Sequence, residues 1–121
     1  MTEYEKWIAR GTAVCDAECA QAMGWERSGR WWTEDGVTMA PAEDVVLALA
    51  WSPTVNRNDT ARMVHATTVL NGRTERFIAI FKLAYSAIVG GSPELVTGWH
   101  TWQADPSLLA YCACKAMKEE T

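Results

Sequence analysis

The chain lacks the motifs that usually identify a reaction. It has no phosphate-binding Gly-Lys-Ser/Thr loop, no nucleophile elbow and no two histidines at the helical spacing of a metal site. Histidine is itself scarce, since only His65 and His100 occur in 121 residues. We interpret His65 as a structural residue and His100, between aromatic neighbours, as the better candidate for a ligand contact. The sequence therefore predicts a protein that is not an enzyme and uses no cofactor.

Excess basic charge and long apolar runs are also missing. The chain carries 11 Lys and Arg against 15 Asp and Glu, a net charge of −4. The scattered cations argue against binding to duplex nucleic acid, which needs a dense basic surface. The longest apolar run, Phe77–Val89, contains Lys82 and is too short to span a bilayer. The N-terminus lacks the pattern of a signal peptide. We expect a cytoplasmic protein that does not contact the membrane.

Cysteine is limited to two pairs, Cys15/Cys19 and Cys112/Cys114. Four thiolates could in principle hold zinc, but helical residues two apart point about 200° away from each other. Cys112 and Cys114 could then not converge on one ion. We predict four buried, reduced thiols and no metal.

Tryptophan, in contrast, is abundant, with seven residues in a short chain. Three of them, Trp25, Trp31 and Trp32, lie in one short stretch. Because indole rings offer large stacking surfaces and are favoured at binding sites, we expect some of them to line a surface. That surplus, together with open sheet edges, predicts a homo-oligomer.

The N-terminal third alternates between helix and strand patterns. Apolar spacing predicts a helix over Glu3–Met23, with a possible joint at Gly11-Thr12 that would divide it in two. Residues Trp25–Glu34 have the pattern of strand, turn and strand, and Asp35-Gly36 that of a plain turn. Pro41 is at the favoured first position of a second helix that continues to Trp51.

The middle of the chain supports two interpretations. Asn71-Gly72 is a strong hairpin turn signal between Ala61–Leu70 and Arg73–Leu83, and this hairpin would place His65 opposite Ile78. The alternative is a helix, because apolar residues also recur at helical spacing: Phe77, Ile80, Phe81, Ala84 and Ile88. We favour the hairpin up to about Leu83.

The C-terminal third ends in a clear helix. Ser92-Pro93-Glu94 predicts a single helical turn, and Trp99–Gln103 a short strand with His100 and Trp102 on one face. Asp105 and Pro106 are typical of a helix start. The buried stripe of this helix is predicted to be Leu109, Cys112, Ala113 and Ala116. Residues 1–121 thus form one α+β domain, a small, mostly antiparallel sheet packed with helices, in three layers.

The order of these elements resembles a known family. The pattern comprises Ala22-Met23-Gly24-Trp25, Trp31-Trp32 with Asp35-Gly36, Pro41 opening a helix, and the final helix with its Ala-Tyr-Cys-Ala-Cys-Lys-Ala-Met run. It resembles the small bacteriophage proteins of the phage ABA-sandwich type over residues 14–51 and 99–118. The resemblance implies a three-layer α/β fold and a phage source, and it supplies no catalytic residues.

The candidate site combines aromatic faces with arginines. Stacking on a planar ring is assigned to four residues: Trp31, Trp32, His100 and Trp102. Arg57, Arg73 and Arg76 would bind phosphate or carbonyl groups, although Arg57 and Arg73 are equally typical of solvated loops. We expect an accessory phage protein that counteracts host antiviral defence by stoichiometric binding. It would sequester a nucleotide-type anionic signal or cap a host defence protein. The alternative is a structural or assembly protein of the phage particle.

Overall fold

The chain begins with two helices, as the joint at Gly11 indicated. The computed structural model describes residues 2–46, 48–97 and 99–118, without the side chains of Trp99 and Trp102. Helix α1 spans Glu3–Ile8 and α2 spans Thr12–Ala22. Gly11 has a φ of 104°, which side-chain-bearing residues rarely adopt, so the chain can turn between the two helices.

A three-stranded antiparallel sheet follows α2. Strand β1 spans Glu26–Ser28, β2 spans Trp31–Glu34 and β3 spans Val37–Pro41, and they lie in that order. The predicted strand–turn–strand unit is confirmed, and neighbouring indoles on β2 face opposite sides, Trp31 being 39% exposed and Trp32 6%. The third strand was not predicted. Asp35 and Gly36 both have positive φ, as a two-residue hairpin turn requires.

The helix predicted from Pro41 to Trp51 is wrong. Pro41 is the last residue of β3 and pairs with Trp31. Because β3 is an edge strand, the missing N–H of proline is tolerated there. The chain then runs irregularly through a small bridge between Val45 and Ala48. It returns to the sheet where the N–H of Trp51 donates to the carbonyl of Pro41 at 2.8 Å.

The predicted hairpin in the middle of the chain is also wrong, and the helical alternative is confirmed. Helix α3 spans Arg57–His65, a π-helical turn covers Ala66–Leu70, and α4 spans Thr74–Val89. His65 and Ile78 therefore lie on different helices rather than opposite each other on paired strands. The Asn56 side chain caps α3 by accepting the N–H of Asn58 at 2.9 Å.

Local side-chain hydrogen bonds satisfy the polar groups of the π-helical turn and of the connection to α4. The hydroxyls of Thr67 and Thr68 donate to the carbonyls four residues earlier, at 2.9 and 2.8 Å. The Asn71 side-chain amide donates to the carbonyl of Ala66 at 2.7 Å, and Gly72 has a φ of 64°. The Asn-Gly pair thus connects two helices rather than two strands.

The C-terminal part contains three helical segments. Residues Pro93–Leu95 form the predicted single turn, here a 3₁₀ turn, and α6 spans Pro106–Lys118 as predicted. Residues Trp99–Gln103 form a short helix, α5, rather than a strand. The strand alternation on which the predicted shared face of His100 and Trp102 depended is therefore absent.

Helix α6 is the centre of the core. It packs against α1, α2, α3 and α4, and seven of its residues are buried: Leu108, Ala110, Tyr111, Cys112, Ala113, Cys114 and Ala116. Leu109, predicted to be buried, is half-buried. The α+β class with a small antiparallel sheet is confirmed, and most of the packing is between helices.

The described tryptophans serve the core more than the surface. Trp25, Trp32 and Trp51 are buried, and the rings of Trp25 and Trp51 meet edge to face at 4.7 Å. Arg62 of α3 lies over Trp25 at 5.0 Å and donates to the carbonyl of Met39 at 2.8 Å, which ties α3 to β3. None of the helices in the described ranges is long and apolar enough to cross a membrane.

Candidate functional site

The predicted ligand-binding side chains that the structure describes do not lie together at one site. Arg57 donates to the carbonyl of Ala104 at 3.4 Å, and Arg73 donates to the carbonyl of Ala116 at 2.8 Å. His100 accepts the N–H of Thr97 through Nδ1 at 2.9 Å. These three side chains stabilise helix ends and turns.

The remaining predicted residues are equally dispersed. Trp32 contributes to the core, and Trp31 lies on the opposite, exposed face of β2. The side chain of Trp102 lies outside the described part of the structure. Arg57, Arg76 and Trp32 line three different cavities. The predicted constellation is therefore not assembled.

Two cavities on either side of α1 carry the strongest binding features. The first, which we call the α4-side cavity, has a volume of about 540 Å³ and lies between α1, α4 and α6. Its lining residues include Tyr4, Arg76, Ile80, Leu83, Tyr111 and Lys115. The second, the α2-side cavity, measures about 440 Å³ and is lined by residues that include Lys6, Trp7, Arg10, Glu18, Cys114 and Lys118. Glu3, Tyr111 and Lys115 line both. Each volume is in the range of small-molecule sites.

Positive charge is concentrated at these two cavities. Five of the eleven Lys and Arg residues line them, and the carboxylates among their described lining residues are Glu3 and Glu18. The five cations are Lys6, Arg10, Arg76, Lys115 and Lys118. Because the whole chain is acidic, this local excess makes the surface beside α1 attractive to anions.

Glu18 organises the α2-side cavity. Its carboxylate accepts the indole N–H of Trp7 and the ammonium of Lys118, both at 2.5 Å, and forms an ion pair with Arg10. Burial acts to raise the pKa of Glu18, but the hydrogen bonds from Lys118, Arg10 and Trp7 together lower it to about 2. The carboxylate thus stays ionised and fixes two cations at the cavity rim.

Aromatic rings form the floor between the cavities. Tyr4 and Trp7 of α1 each meet Tyr111 of α6 edge to face, with centroids 5.7 and 5.5 Å apart. Lys115 pairs with Glu3 at 2.6 Å, and this hydrogen bond is the main reason why the pKa of Glu3 is lowered. Cations beside aromatic faces suit a ligand that is both anionic and apolar.

The four cysteines are free and buried, and the predicted burial is confirmed. The thiol of Cys19 on α2 donates to the carbonyl of Ala110 on α6 at 3.9 Å, so it bonds across the interface between these helices. Burial raises the pKa of Cys112 to about 12. Cys114, which is 2% exposed, lines the α2-side cavity.

Side chains that could bind a metal ion do not cluster within the described ranges. No group of three or more His, Cys, Asp or Glu residues there has the arrangement to hold an ion.

Asp16 forms a second polar centre, on the side of α2 towards the irregular segment. It is 8% exposed, and its carboxylate accepts three hydrogen bonds: from the hydroxyls of Ser52 and Thr54, both at 2.8 Å, and from the Thr54 N–H at 3.1 Å. Burial raises its pKa, and these bonds oppose the shift only in part. This centre attaches the 52–54 segment to α2.

Sequence reasoning missed the residues beside α1, although a signal existed. On α6, Tyr111, Lys115 and Lys118 follow the spacing of one helix face, and Lys6 and Arg10 are four residues apart near the N-terminus. In the sequence, Lys115 and Lys118 are also typical of the favourable charges at a helix C-terminus. Which helix would lie against that face could not be read from spacing.

Compared with family models, with curated proteins and with solved structures, the chain matches none at a significant level. The resemblance to phage ABA-sandwich proteins therefore stays a prediction. One of the features on which it rests, a helix opened by Pro41, is a strand end in the structure.

Proposed function

We propose that this protein binds, without converting it, a small ligand that combines a planar apolar body with one or more negative charges. The observation that carries the proposal is the clustering of five cations around the aromatic floor of Tyr4, Trp7 and Tyr111 in an acidic chain. Nucleotides and aryl phosphates belong to this ligand class. Stacking on the rings and charge-assisted hydrogen bonds from the rim would hold them.

The biological setting is proposed from the sequence alone. The resemblance to small phage proteins suggests an accessory protein of the host-cell cytoplasm that sequesters a nucleotide-type signal of antiviral defence. Capping of a host defence protein and a role in particle assembly are the alternatives, and homo-oligomerisation is part of the same proposal. Some apolar side chains are strongly exposed, such as Val46 at 98%, Leu49 at 71% and Leu95 at 72%. Such exposure supports the proposals in which this protein contacts another protein chain.

Calorimetry against a ligand panel tests the binding proposal. The panel contains linear and cyclic nucleotides, phenyl and naphthyl phosphate, and naphthalene as an uncharged counterpart. We expect binding of charged aromatic members and none of naphthalene. Arg76→Gln and Lys6→Gln should each weaken binding about ten- to a hundredfold, the effect of losing one charge-assisted hydrogen bond.

Arg30→Gln is the matched control. Arg30 is an exposed cation whose ion pair with Glu43, at 3.0 Å, lies outside both cavities. An equal loss of affinity in this variant would indicate unspecific charge attraction and contradict the proposed site. Loss of affinity on Trp102→Ala but not on Arg76→Gln would place the ligand at α5. A panel without any binder would favour a protein partner, and recovery of a converted ligand would show an enzyme.

A further inference from the structure

The α4-side cavity is elongated, and the side of it that α4 forms is aliphatic. Six of its lining residues belong to α4 and recur every three or four positions, so they form one helix face. From residue 76 to residue 87 this face extends about 16 Å along the helix axis. Since this length exceeds that of a single ring system, the cavity suits an extended chain. The six residues are Arg76, Ala79, Ile80, Leu83, Ala84 and Ala87.

Helices α4 and α6 run antiparallel along this cavity. Near the start of α4, the guanidinium of Arg73 donates to the carbonyl of Ala116, near the end of α6, at 2.8 Å. Near the end of α4, the ring of Tyr85 lies 5.0 Å from that of His100, which precedes α6 in the chain. The N-terminal end of α4 therefore lies beside the C-terminal end of α6.

The charged residues that line the cavity are gathered at that end. Arg76 lies in the first turn of α4 and Lys115 in the last turn of α6. The carboxylate among the described lining residues is that of Glu3, which pairs with Lys115 at 2.6 Å and is 75% exposed, so water screens the pair. Two cations against one carboxylate leave this end positive. Beyond Arg76, the lining residues of α4 are aliphatic as far as Ala87.

We propose that the α4-side cavity binds a single-chain amphipathic anion, such as an alkyl carboxylate, with its head at Arg76 and Lys115 and its chain along α4 towards Ala87. The head accepts charge-assisted hydrogen bonds from the two cations. The chain covers Ile80 and Leu83, the latter 63% exposed, and removes apolar surface from water. The proposal takes from the proposed function only that anions bind beside α1, and it assigns this cavity an aliphatic instead of a planar ligand.

Calorimetry of the unmutated protein with hexanoate, octanoate and decanoate, each below the concentration at which it aggregates, tests the role of the chain. Because each methylene that leaves water adds to the affinity, Kd should fall about tenfold for every two carbons added. Octanol and octyltrimethylammonium, the uncharged and cationic counterparts, should bind about tenfold more weakly than octanoate. A Kd that does not depend on chain length, or octanol bound as tightly as octanoate, would overturn the proposal.

Substitutions at the two ends of the cavity, each checked for folding by circular dichroism, test the orientation of the ligand. Arg76→Gln should weaken the binding of hexanoate and decanoate by the same factor, about tenfold, because both ligands place their head there. Leu83→Asn should weaken the binding of decanoate about tenfold and that of hexanoate less, because only the longer chain covers this turn. An equal effect of Leu83→Asn on the two ligands would contradict the orientation.

Two matched control variants lie outside this cavity. Lys6→Gln removes a cation that lines the α2-side cavity and not the α4-side cavity, and Leu95→Asn removes a leucine that is 72% exposed elsewhere. Both should bind decanoate like the unmutated protein, and a loss equal to that of Arg76→Gln or Leu83→Asn would show unspecific attraction and refute the site.

The same titrations separate this proposal from the proposed function. Binding of phenyl and naphthyl phosphate without binding of decanoate would refute the aliphatic ligand and leave the proposed function standing. Binding of decanoate without binding of any aromatic anion would refute the planar ligand and support the aliphatic one.

Discussion

Asp16 and Glu18 lie two residues apart on α2, and the regions around them use a carboxylate in opposite ways. Glu18 faces the α2-side cavity and binds two cations and an indole N–H. Asp16 faces the 52–54 segment and binds only neutral donors. Consequently the pKa of Glu18 is lowered to about 2, whereas burial raises that of Asp16. The partners of a carboxylate, more than its burial alone, determine its charge state.

Removing Asp16 should have the largest effect on stability. Asp16→Ala leaves two hydroxyls and one buried N–H without their acceptor, which should cost about 2–4 kcal/mol in the free energy of unfolding. Urea denaturation measures this. Asp44→Ala is the control, because Asp44 is an exposed aspartate that accepts a single N–H, that of Ala50 at 2.8 Å. A loss below that of the control would show that the Asp16 centre does not hold the 52–54 segment.

Neutralising Glu18 should have a smaller effect. Glu18→Gln keeps the shape but removes the charge that pairs with Arg10 and Lys118, and we expect a loss of about 1–3 kcal/mol. Glu43→Gln is the matched control, since Glu43 also pairs with two cations, Arg27 and Arg30, but is 46% exposed against 20% for Glu18. The control should lose about 0–0.5 kcal/mol. Equal losses in both variants would remove the distinction between the cavity and the outer surface.

Glu18 and Asp16 should contribute with opposite signs to the pH dependence of folding stability, and this is the smallest of the expected effects. The folded pKa of Glu18 lies below its ordinary 4.5, so its stabilisation is present above that value and is lost as the pH falls towards 2. The folded pKa of Asp16 lies above its ordinary 3.8, so protonation favours the folded state and stability from this group declines as the pH rises.

Urea titrations of two variants between about pH 6 and pH 3 measure these slopes. The deficit of Glu18→Gln relative to the unmutated protein should shrink on acidification, and that of Asp16→Asn should grow. Parallel slopes for the two variants would contradict the contrast between their environments.

Sequence reasoning predicted those parts of the fold in which neighbouring residues in the chain determine the secondary structure. Gly11 separates two helices, α6 begins at Pro106 directly after Asp105, and the strand pair around Gly29 forms as predicted. The helices α3 and α4 were missed because their β-branched and aromatic residues match a strand pattern, while packing on α6 favours the helix. The strand β3 was missed because Pro41 was taken for a helix start.

The candidate site was less predictable than the fold. Arg57, Arg73 and Arg76 were grouped because arginine binds phosphate, but Arg57 and Arg73 hydrogen-bond carbonyls of neighbouring helices instead. Only Arg76 lies in a proposed cavity. Lys6 and Lys118 are far apart in sequence and line the same cavity because α1 packs on α6. Such long-range packing leaves no local pattern in the sequence.

Helix α1 has no fully buried residue and is held by side-chain contacts such as Tyr4 to Ser107 at 2.6 Å. Segments of this kind detach at a fraction of the free energy of global unfolding. We therefore expect amide hydrogens of α1 to exchange with deuterium by local opening, while those of α6 exchange only when the whole chain unfolds. Each opening would merge the two cavities into one exposed face of α6. The rate of that opening would then limit how quickly a bulky reagent reaches Cys114.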